Sequence, residues 1–287
     1  MAPASTPPAF SPPRLVAVPG GALALRDART GSVRDTVLQS FEIGRTPVTW
    51  AEARSVPAPP GSAPRSTPPR SAPRSSAPPG GPSPTTPPDA VPAHPVTWFD
   101  AVRWCNAAST AAGLAPAYTL DGRSVRWDVS ADGYRLPTEG EWEWACRAGT
   151  ATPTYGPLAT VAWTAADEVE GPQPVARKAP NAFGTHDQLG NVWEWCWDYA
   201  DTARYGDYRS LRGGGWADRE WSVRVSVRRG SAPDAVLEDV GFRVARGAVG
   251  QRGAREAQGW SAAADRERAD VRGPRPVGWT PLRDLTD

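Results

Sequence analysis

Hydrophobic positions along this chain fall into short alternating runs divided by turn formers, with two longer stretches of helical period. Leu15 to Leu25 reads as two brief strands hinged at Pro19-Gly20-Gly21, which predicts a hairpin. Thr36 to Ile43 alternates as another strand, and Pro47-Val-Thr-Trp50 leads into a short helix over Ala51–Arg54. Ala101, Val102, Cys105, Ala108 and Ala112 share one face of a helix that starts at Trp98 and stops at Gly113, which makes Cys105 a core residue. A second helix opens at Thr138, where Glu141 completes a capping box, and runs towards Gly149 with Cys146 inside it. Beyond it, a short strand is expected at Val161-Ala-Trp163. Trp193-x-Trp-x-Trp197 predicts an extended segment with its rings on one face and Glu194, Cys196 and Asp198 on the other. Residues 199–208 read as irregular, Ser210-Leu211-Arg212 as a return to the sheet, Val223–Arg228 as a strand alternating valine with Arg224, Ser226 and Arg228, and Gly241–Arg246 as the last strand.

Two stretches break this pattern. Residues 55–95 consist mainly of Pro, Ser, Ala, Gly and scattered Arg without an aromatic side chain, so they cannot bury enough surface to offset the entropy of ordering. A disordered insertion with polyproline II character is expected there, either a docking segment for a proline-binding domain or a tolerated surface loop. Residues 247–287 are polar and charge-mixed and read as a flexible or weakly helical tail, and residues 1–14 as a flexible N-terminus. One domain over residues 15–246 is left between them.

Composition narrows the function classes. The net charge of +1 gives no electrostatic reason for nucleic acid or a membrane surface as partner. No run is long and apolar enough to cross a bilayer, and Met1–Pro13 has neither the cationic start nor the apolar stretch of a signal peptide. Three widely spaced cysteines do not make a disulfide framework and suit a reducing compartment, so a cytoplasmic location is expected. The 14 tryptophans are read mainly as core.

Turn formers, carboxylates and tryptophans concentrate between Pro180 and Asp198, and this segment carries a resemblance. Asn181-Ala-Phe-Gly184 followed by Gly190-Asn-Val-Trp-Glu-Trp195 resembles the signature of the formylglycine-generating enzyme, or sulfatase-modifying factor, family. Further blocks agree in order: Phe41–Thr49, Pro95–Ala101, Tyr134–Glu143, Arg212–Trp216 and Gly241-Phe-Arg243. The resemblance implies an α+β fold, C-type-lectin-like, with little regular secondary structure.

The same resemblance directs attention to three kinds of site. Catalytic members carry a copper-binding cysteine pair just after the Arg-Gly-Gly-Ser block, where soft thiolates suit Cu(I). Aligned without a gap from Arg212, those positions are Asp218 and Val223 here, and the serine of the block is Gly215. No copper site is therefore expected, and no catalytic residue is assigned. A related branch binds non-haem iron through three histidines, but this chain has only His94 and His186, so no iron site is expected either. A structural Ca²⁺ is what remains: the resemblance implies side-chain oxygens from Asp187 and Glu194 and backbone carbonyls from Gly190 and Val192, hard donors of the kind Ca²⁺ prefers. Read from the residues alone, Glu194 can equally accept turn amides or pair with Arg224 or Arg228. Glu139, Glu141 and Glu143 are read as a cap and a solvated helix face.

Two functions stay open. One is a binding protein whose groove, formed by Trp216, Asp218, Arg219, Glu220 and Trp221, takes a peptide or small ligand; a variable-surface receptor on the same fold is a version of it. The other is an oxidoreductase or protein-modifying enzyme of the same family. Absence of thiolates after Cys196 and of a histidine cluster favours the first.

Overall fold

A computed structural model describes residues 10–26, 31, 33–57, 89–200 and 207–269, with the backbone alone for 266–269. In chain order the elements are β1 (Leu15–Val18), β2 (Gly21–Arg26), β3 (Val33–Leu38), β4 (Phe41–Gly44), α1 (Trp50–Ser55), α2 (Trp98–Ala111), β5 (Tyr118–Asp121), β6 (Ser124–Trp127), β7 (Tyr134–Arg135), α3 (Glu139–Arg147) and α4 (Leu158–Val161). After a 3₁₀ turn at Ala165–Asp167 come β8 (Trp193–Tyr199), β9 (Arg209–Arg212), β10 (Arg228–Ser231), β11 (Val240–Phe242), β12 (Ala245–Arg246), β13 (Glu256–Ala257), β14 (Trp260–Ser261) and α5 (Ala262–Ala269). None of the described helices is long and apolar enough to cross a membrane.

Two four-stranded sheets organise the chain, one in the order β1-β4-β12-β7 and the other β10-β9-β8-β11, in which β11 runs parallel to β8. This mixed α+β arrangement of short strands is the fold class expected. The hairpin expected over residues 15–25 does not form: β1 pairs with β4 and β2 with β3, because Pro19-Gly20 redirects the chain between two different sheets. The run from Thr36 to Ile43 likewise divides at Gln39-Ser40 into the ends of β3 and β4. The strand expected at Val223–Arg228 is also absent; Val223 and Val225 are buried in turns, and regular pairing begins only at Arg228. In place of a strand at Val161-Ala-Trp163 there is the end of α4 and a single bridge from Trp163 to Gly190.

Helices follow local sequence more closely. Thr97 caps α2, and Thr138 and Glu141 cap α3 reciprocally, the capping box satisfying two amides that a helix start would leave bare. Cys105 is buried on the inner face of α2, as its spacing predicts. The glutamates of α3 are not on a solvated face. Glu139, Glu141 and Glu143 are all buried and neutralised by arginines: near ones, Arg135 for Glu141 and Arg147 for Glu143, and ones distant in sequence, Arg212 for Glu139 and Glu143 and Arg228 for Glu139. Charges placed where the helical period alone predicts water are stable here only because each has its guanidinium.

The main core gathers Trp193, Trp195 and Trp197 from β8 with Trp98, Trp127 and Phe242. On the opposite face of β8, Cys196 enters a second cluster with Trp142, Cys146, Leu189 and Val223. Burial pushes the thiols of Cys146 and Cys196 well above their ordinary range, and all three cysteines are free.

The domain limits read from the sequence need three adjustments. Phe10 packs against the main core, and the Ser11 amide donates to Ser55 Oγ, so order begins before residue 15. The insertion has firm ends: Trp50 N donates to Val91 O, Ala51 N to Asp89 O, and Val91 and Ala93 are buried. Only its middle, residues 58–88, lies outside the described residues. Residues 247–269 are not a loose tail: Val249, Trp260 and Ala262 join the main core, with Trp260 5.4 Å from Trp127 and 5.8 Å from Trp197 between ring centroids. Residues 1–9, 201–206 and 270–287 lie outside the described residues.

Candidate functional site

Two neighbouring features meet along the loop from His186 to Glu194. The first is a cradle around Asp187. Gly190 has φ +70°, and a Cβ on it would stand 2.1 Å from Trp163 O, so only glycine fits. Asn191 (φ 62°) occupies the left-handed region that the Gly-Asn pair predicts, and Asp187 (φ 55°), outside that pair, occupies it too. Asn191 holds the turn by exchanging hydrogen bonds with Gln173, receiving from its amide and donating to its carbonyl, while the Asn191 amide donates to Trp163 O.

Asp187 is 1 % exposed. Its Oδ2 accepts the Ala176 amide at 2.7 Å and its Oδ1 accepts Asn191 Nδ2 at 3.4 Å, and it has no ion pair among the described residues. Burial raises its carboxyl above the ordinary value, partly offset by that amide and by Arg243. His186 beside it is fixed in one tautomer: Arg45 can only donate to Nε2, so the proton sits on Nδ1 and goes to Lys178 O.

Glu194 lies at the inner end of the cradle and is fully buried. The partner weighed from sequence is neither Arg224, whose Nε donates to Trp221 O, nor Arg228, which binds Glu139. It is Arg243, giving Nε to Oε2 at 3.0 Å and Nη2 to Oε1 at 2.8 Å, with Trp142 Nε1 on Oε2 at 2.7 Å. Burial raises Glu194 while Arg243 opposes the rise.

For a Ca²⁺ the fit is concentrated on Asp187. Two donors fill Glu194 Oε2, leaving capacity on Oε1 alone, whereas the buried Asp187 carboxylate has no cation in contact. Among the described residues no three of His, Cys, Asp and Glu converge on one point, so such an ion would depend on these two carboxylates, backbone carbonyls and water.

The second feature is the loop after β9. Trp216 N donates to Asn191 O, and Ala165 N donates to Asp218 O, which ties the loop to the cradle. Asp218 turns inward: its Oδ2 accepts Trp193 Nε1 at 2.7 Å and Gly215 N at 2.8 Å. Val223, the other cysteine-equivalent position, is completely buried. Arg219 and Glu220 are exposed, and Trp221 is 67 % exposed. The five residues grouped by sequence thus share one loop, but Asp218 forms its base and Trp221 its outer rim.

Sequence reasoning missed Asp239 and Arg229. A Cβ on Gly215 would lie 3.0 Å from Asp239 Oδ2 and 3.3 Å from the Trp193 ring, which places Asp239 against the loop's base. Burial raises Asp239, Arg229 opposes this, and Asp218 and Glu238 add to the rise. Arg229 also lies over the Trp193 ring at 5.7 Å. Only the proximity of Asp239 to the Gly241-Phe-Arg block hinted at this in the sequence.

Comparison with known proteins agrees with the geometry. A family model, the sulfatase-modifying factor enzyme 1-like domain, matches residues 2–248. The chain is 29 % identical over 194 residues to a protein named chaperone protein LppX of Paenibacillus barcinonensis, covering 54 % of this chain and 69 % of that one. It is 38 % identical over 136 residues to the inactive C-alpha-formylglycine-generating enzyme 2 of Bos taurus, and 33 % over 149 residues to the formylglycine-generating enzyme of Streptomyces coelicolor. Each match covers 40 % of this chain, and 45 % and 48 % respectively of those relatives' own lengths. Among solved structures, Treponema denticola variable protein 1 superposes with a TM-score of 0.66 at 27 % identity, covering 81 % of this chain and 94 % of that one. PvdO from Pseudomonas aeruginosa, at 24 % identity, shares the fold with a TM-score of 0.60 over 85 % of this chain and the whole of that one. The match over residues 2–248, together with the Gly190–Glu194 turn and the loop after Arg212, makes this chain a member of the sulfatase-modifying factor, or formylglycine-generating enzyme, family.

Proposed function

We propose that the domain binds a peptide or small ligand along the loop of Trp216, Asp218, Arg219, Glu220 and Trp221, without copper-dependent formylglycine formation. The observation that carries this reading is the commitment of Asp218 to Trp193 Nε1 and Gly215 N, at the position where catalytic relatives need a thiolate. Val223 cannot reach a metal from the second core cluster, and its valine side chain offers no donor. Two relatives bear the names of an inactive generating enzyme and of a chaperone, and this supports the same direction. Around Asp239 the carboxylates of Asp218 and Glu238 oppose the charge of Arg229, which favours a basic side chain in the ligand. Trp221 is the exposed ring on which it would rest.

The test has two parts. Incubation with Cu(I), oxygen and a cysteine peptide of the sulfatase type, followed by mass spectrometry, is expected to give no aldehyde above the metal-free blank. An array of short peptides is expected to show binding to arginine- or lysine-containing sequences that weakens with Trp221→Ala and Asp239→Asn. Copper-dependent turnover would favour the alternative, an oxidising enzyme of this family, and an array indifferent to both substitutions would remove the groove.

The cradle suits a structural Ca²⁺ bound by Asp187, Glu194 Oε1 and the carbonyls of Gly190 and Val192. The buried carboxylate of Asp187, without an ion pair among the described residues, supports this, since a divalent ion would offset its desolvation. When bound, the ion would supply charge neutralisation and no chemistry.

A further inference from the structure

β3 belongs to a sheet of two strands, so one of its edges faces β2 and the other has no strand beside it among the described residues. There, no residue from Val33 to Leu38 makes a backbone–backbone hydrogen bond to anything but β2. An open groove of about 470 Å³ runs along this edge, with Arg34–Val37 on one bank and Glu256–Gly259 on the other. Consecutive residues line it from both banks, whereas a groove under one face of a strand would be lined by every second residue. The space therefore follows the edge, where backbone amides and carbonyls point. Gln258 holds the banks together by exchanging hydrogen bonds with the Gln39 backbone, and Arg34 does so by donating to Gly259 O.

The two faces beside this edge differ. Outward, Val33 and Val37 are 58 % and 79 % exposed, with Ala22 and Ala24 of β2 exposed next to them, so this face is apolar and bare. Inward there is little room, since a Cβ on Gly259 would stand 2.4 Å from Thr36 Cγ2. A strand added here needs bulk on alternate residues and a small residue between them. Charge adds a third requirement: Asp35 and Glu256, one on each bank, are exposed with no ion pair among the described residues, which favours a basic segment.

The chain itself carries such a segment. Val277-Gly278-Trp279-Thr280 is bracketed by Pro276 and Pro281, which limit an extended run to those four residues, and Arg275 and Arg283 flank it. Alternation sets Val277 and Trp279 on one face and Gly278 between them on the other. α5 begins directly after Ser261, itself on the groove, and its eight residues carry the chain roughly 12 Å. The stretch 270–276 can span roughly 25 Å, enough to return. We propose that residues 277–280 add to the free edge of β3 as a third strand, with Val277 and Trp279 beside Val33 and Val37, Gly278 facing the Thr36–Gly259 contact, and the flanking arginines meeting Asp35 and Glu256. Backbone hydrogen bonds along the edge give such an addition its affinity, and the alternate side chains give it specificity. None of these residues belongs to the loop of Trp216–Trp221, so the inference stands whether or not that loop binds a ligand.

Hydrogen exchange of the full chain, followed amide by amide across Arg34–Val37 by NMR, tests this. β2 bonds only alternate amides. The others, directed into the groove, are expected to be protected in the natural protein and to exchange roughly tenfold faster or more in Gly278→Leu and in Trp279→Ser. The β2-bonded amides are expected to stay unchanged, and they report on folding in the same spectra, so loss of the added strand is distinguishable from unfolding. Groove-facing amides that exchange freely in the natural protein, protection that survives both substitutions, or protection that rises with protein concentration, the mark of a second copy on the edge, would overturn the proposal.

Discussion

Arg243 and Glu194, 49 residues apart, form a buried two-pronged ion pair with donor–acceptor distances of 3.0 and 2.8 Å. Arg243 also donates to Gly44 O and His186 O, so one guanidinium joins β4, the cradle and β8. Arg243→Met removes the cation and leaves Glu194 buried and uncompensated. A loss of about 3–5 kcal/mol in urea denaturation is expected. The double variant with Glu194→Met is expected to lose less than the two single variants added together, and strict additivity would show that the pair is not coupled.

Calcium, if it occupies the cradle, stabilises only the folded chain. The melting temperature is then expected to rise with Ca²⁺, corresponding to about 2.7 kcal/mol at a hundredfold excess over the dissociation constant. Asp187→Asn is expected to abolish that dependence. Identical melting of the natural protein in calcium and in chelator would leave Asp187 as a carboxylate satisfied by the Ala176 amide and the Asn191 side chain.

Gln258 ties the C-terminal hairpin to the rest of the fold. Its side chain exchanges hydrogen bonds with the backbone of Gln39 and donates to Glu141, and its carbonyl accepts Thr138 Oγ1. Truncation after residue 248 removes these groups together with Trp260 and is expected to leave no cooperative transition. The milder Trp260→Ala is expected to cost about 3–5 kcal/mol. A truncated chain melting like the full one would show that the segment is dispensable.

The insertion offers the opposite expectation. Its stem is fixed by Trp50 N to Val91 O, Ala51 N to Asp89 O and the Arg54–Asp89 ion pair. Replacing residues 58–88 with a Gly-Ser linker only changes the length of a closed loop, so stability is expected to shift by no more than about 2 kcal/mol. Calorimetry of the shortened chain decides this, and loss of folding would assign the insertion a structural role.

Asp239 makes a pH prediction with a definite sign. Burial raises its carboxyl above the ordinary 3.8, so the folded chain holds this proton more tightly than the unfolded one. Its contribution to stability is greatest below that value and is lost as the pH rises through the folded-state pKa. Asp239→Asn is expected to flatten the fall in stability with rising pH over that window, measured by denaturation at stepped pH. An unchanged slope would mean that Asp239 titrates alike in both states.

The features legible in the sequence were those set by neighbours a few residues away. Thr138 and Glu141 announce the start of α3, the Gly190-Asn191 pair announces its left-handed turn, and the ordered motifs announce the family. What escaped was set by distant partners. Nothing near Glu194 marks Arg243 as its partner over Arg224 or Arg228, and nothing near Glu139 shows that Arg212 and Arg228 will cover it. Gln258 carries no periodic signal because its role is to satisfy the Gln39 backbone just past β3 and groups at the start of α3. Leu15–Leu25 carries the signal of a hairpin, but Val18 and Leu23 belong to different sheets.

The sheet in which β4 lies between β1 and β12 bears on how the chain folds. Glu42 pairs with Arg246 across 204 residues, and Ile43 with Ala245. During synthesis β1 and β4 can pair early, yet their sheet cannot be completed, nor Glu194 find Arg243, until nearly the whole domain has emerged. Sheets closed by such distant partners fold slowly, because a long loop must be ordered before any contact offsets its entropy. Until then the tryptophans of β8 and the glutamates of α3 lack their final neighbours, so the nascent chain, more than the finished one, is the state exposed to aggregation and to chaperones.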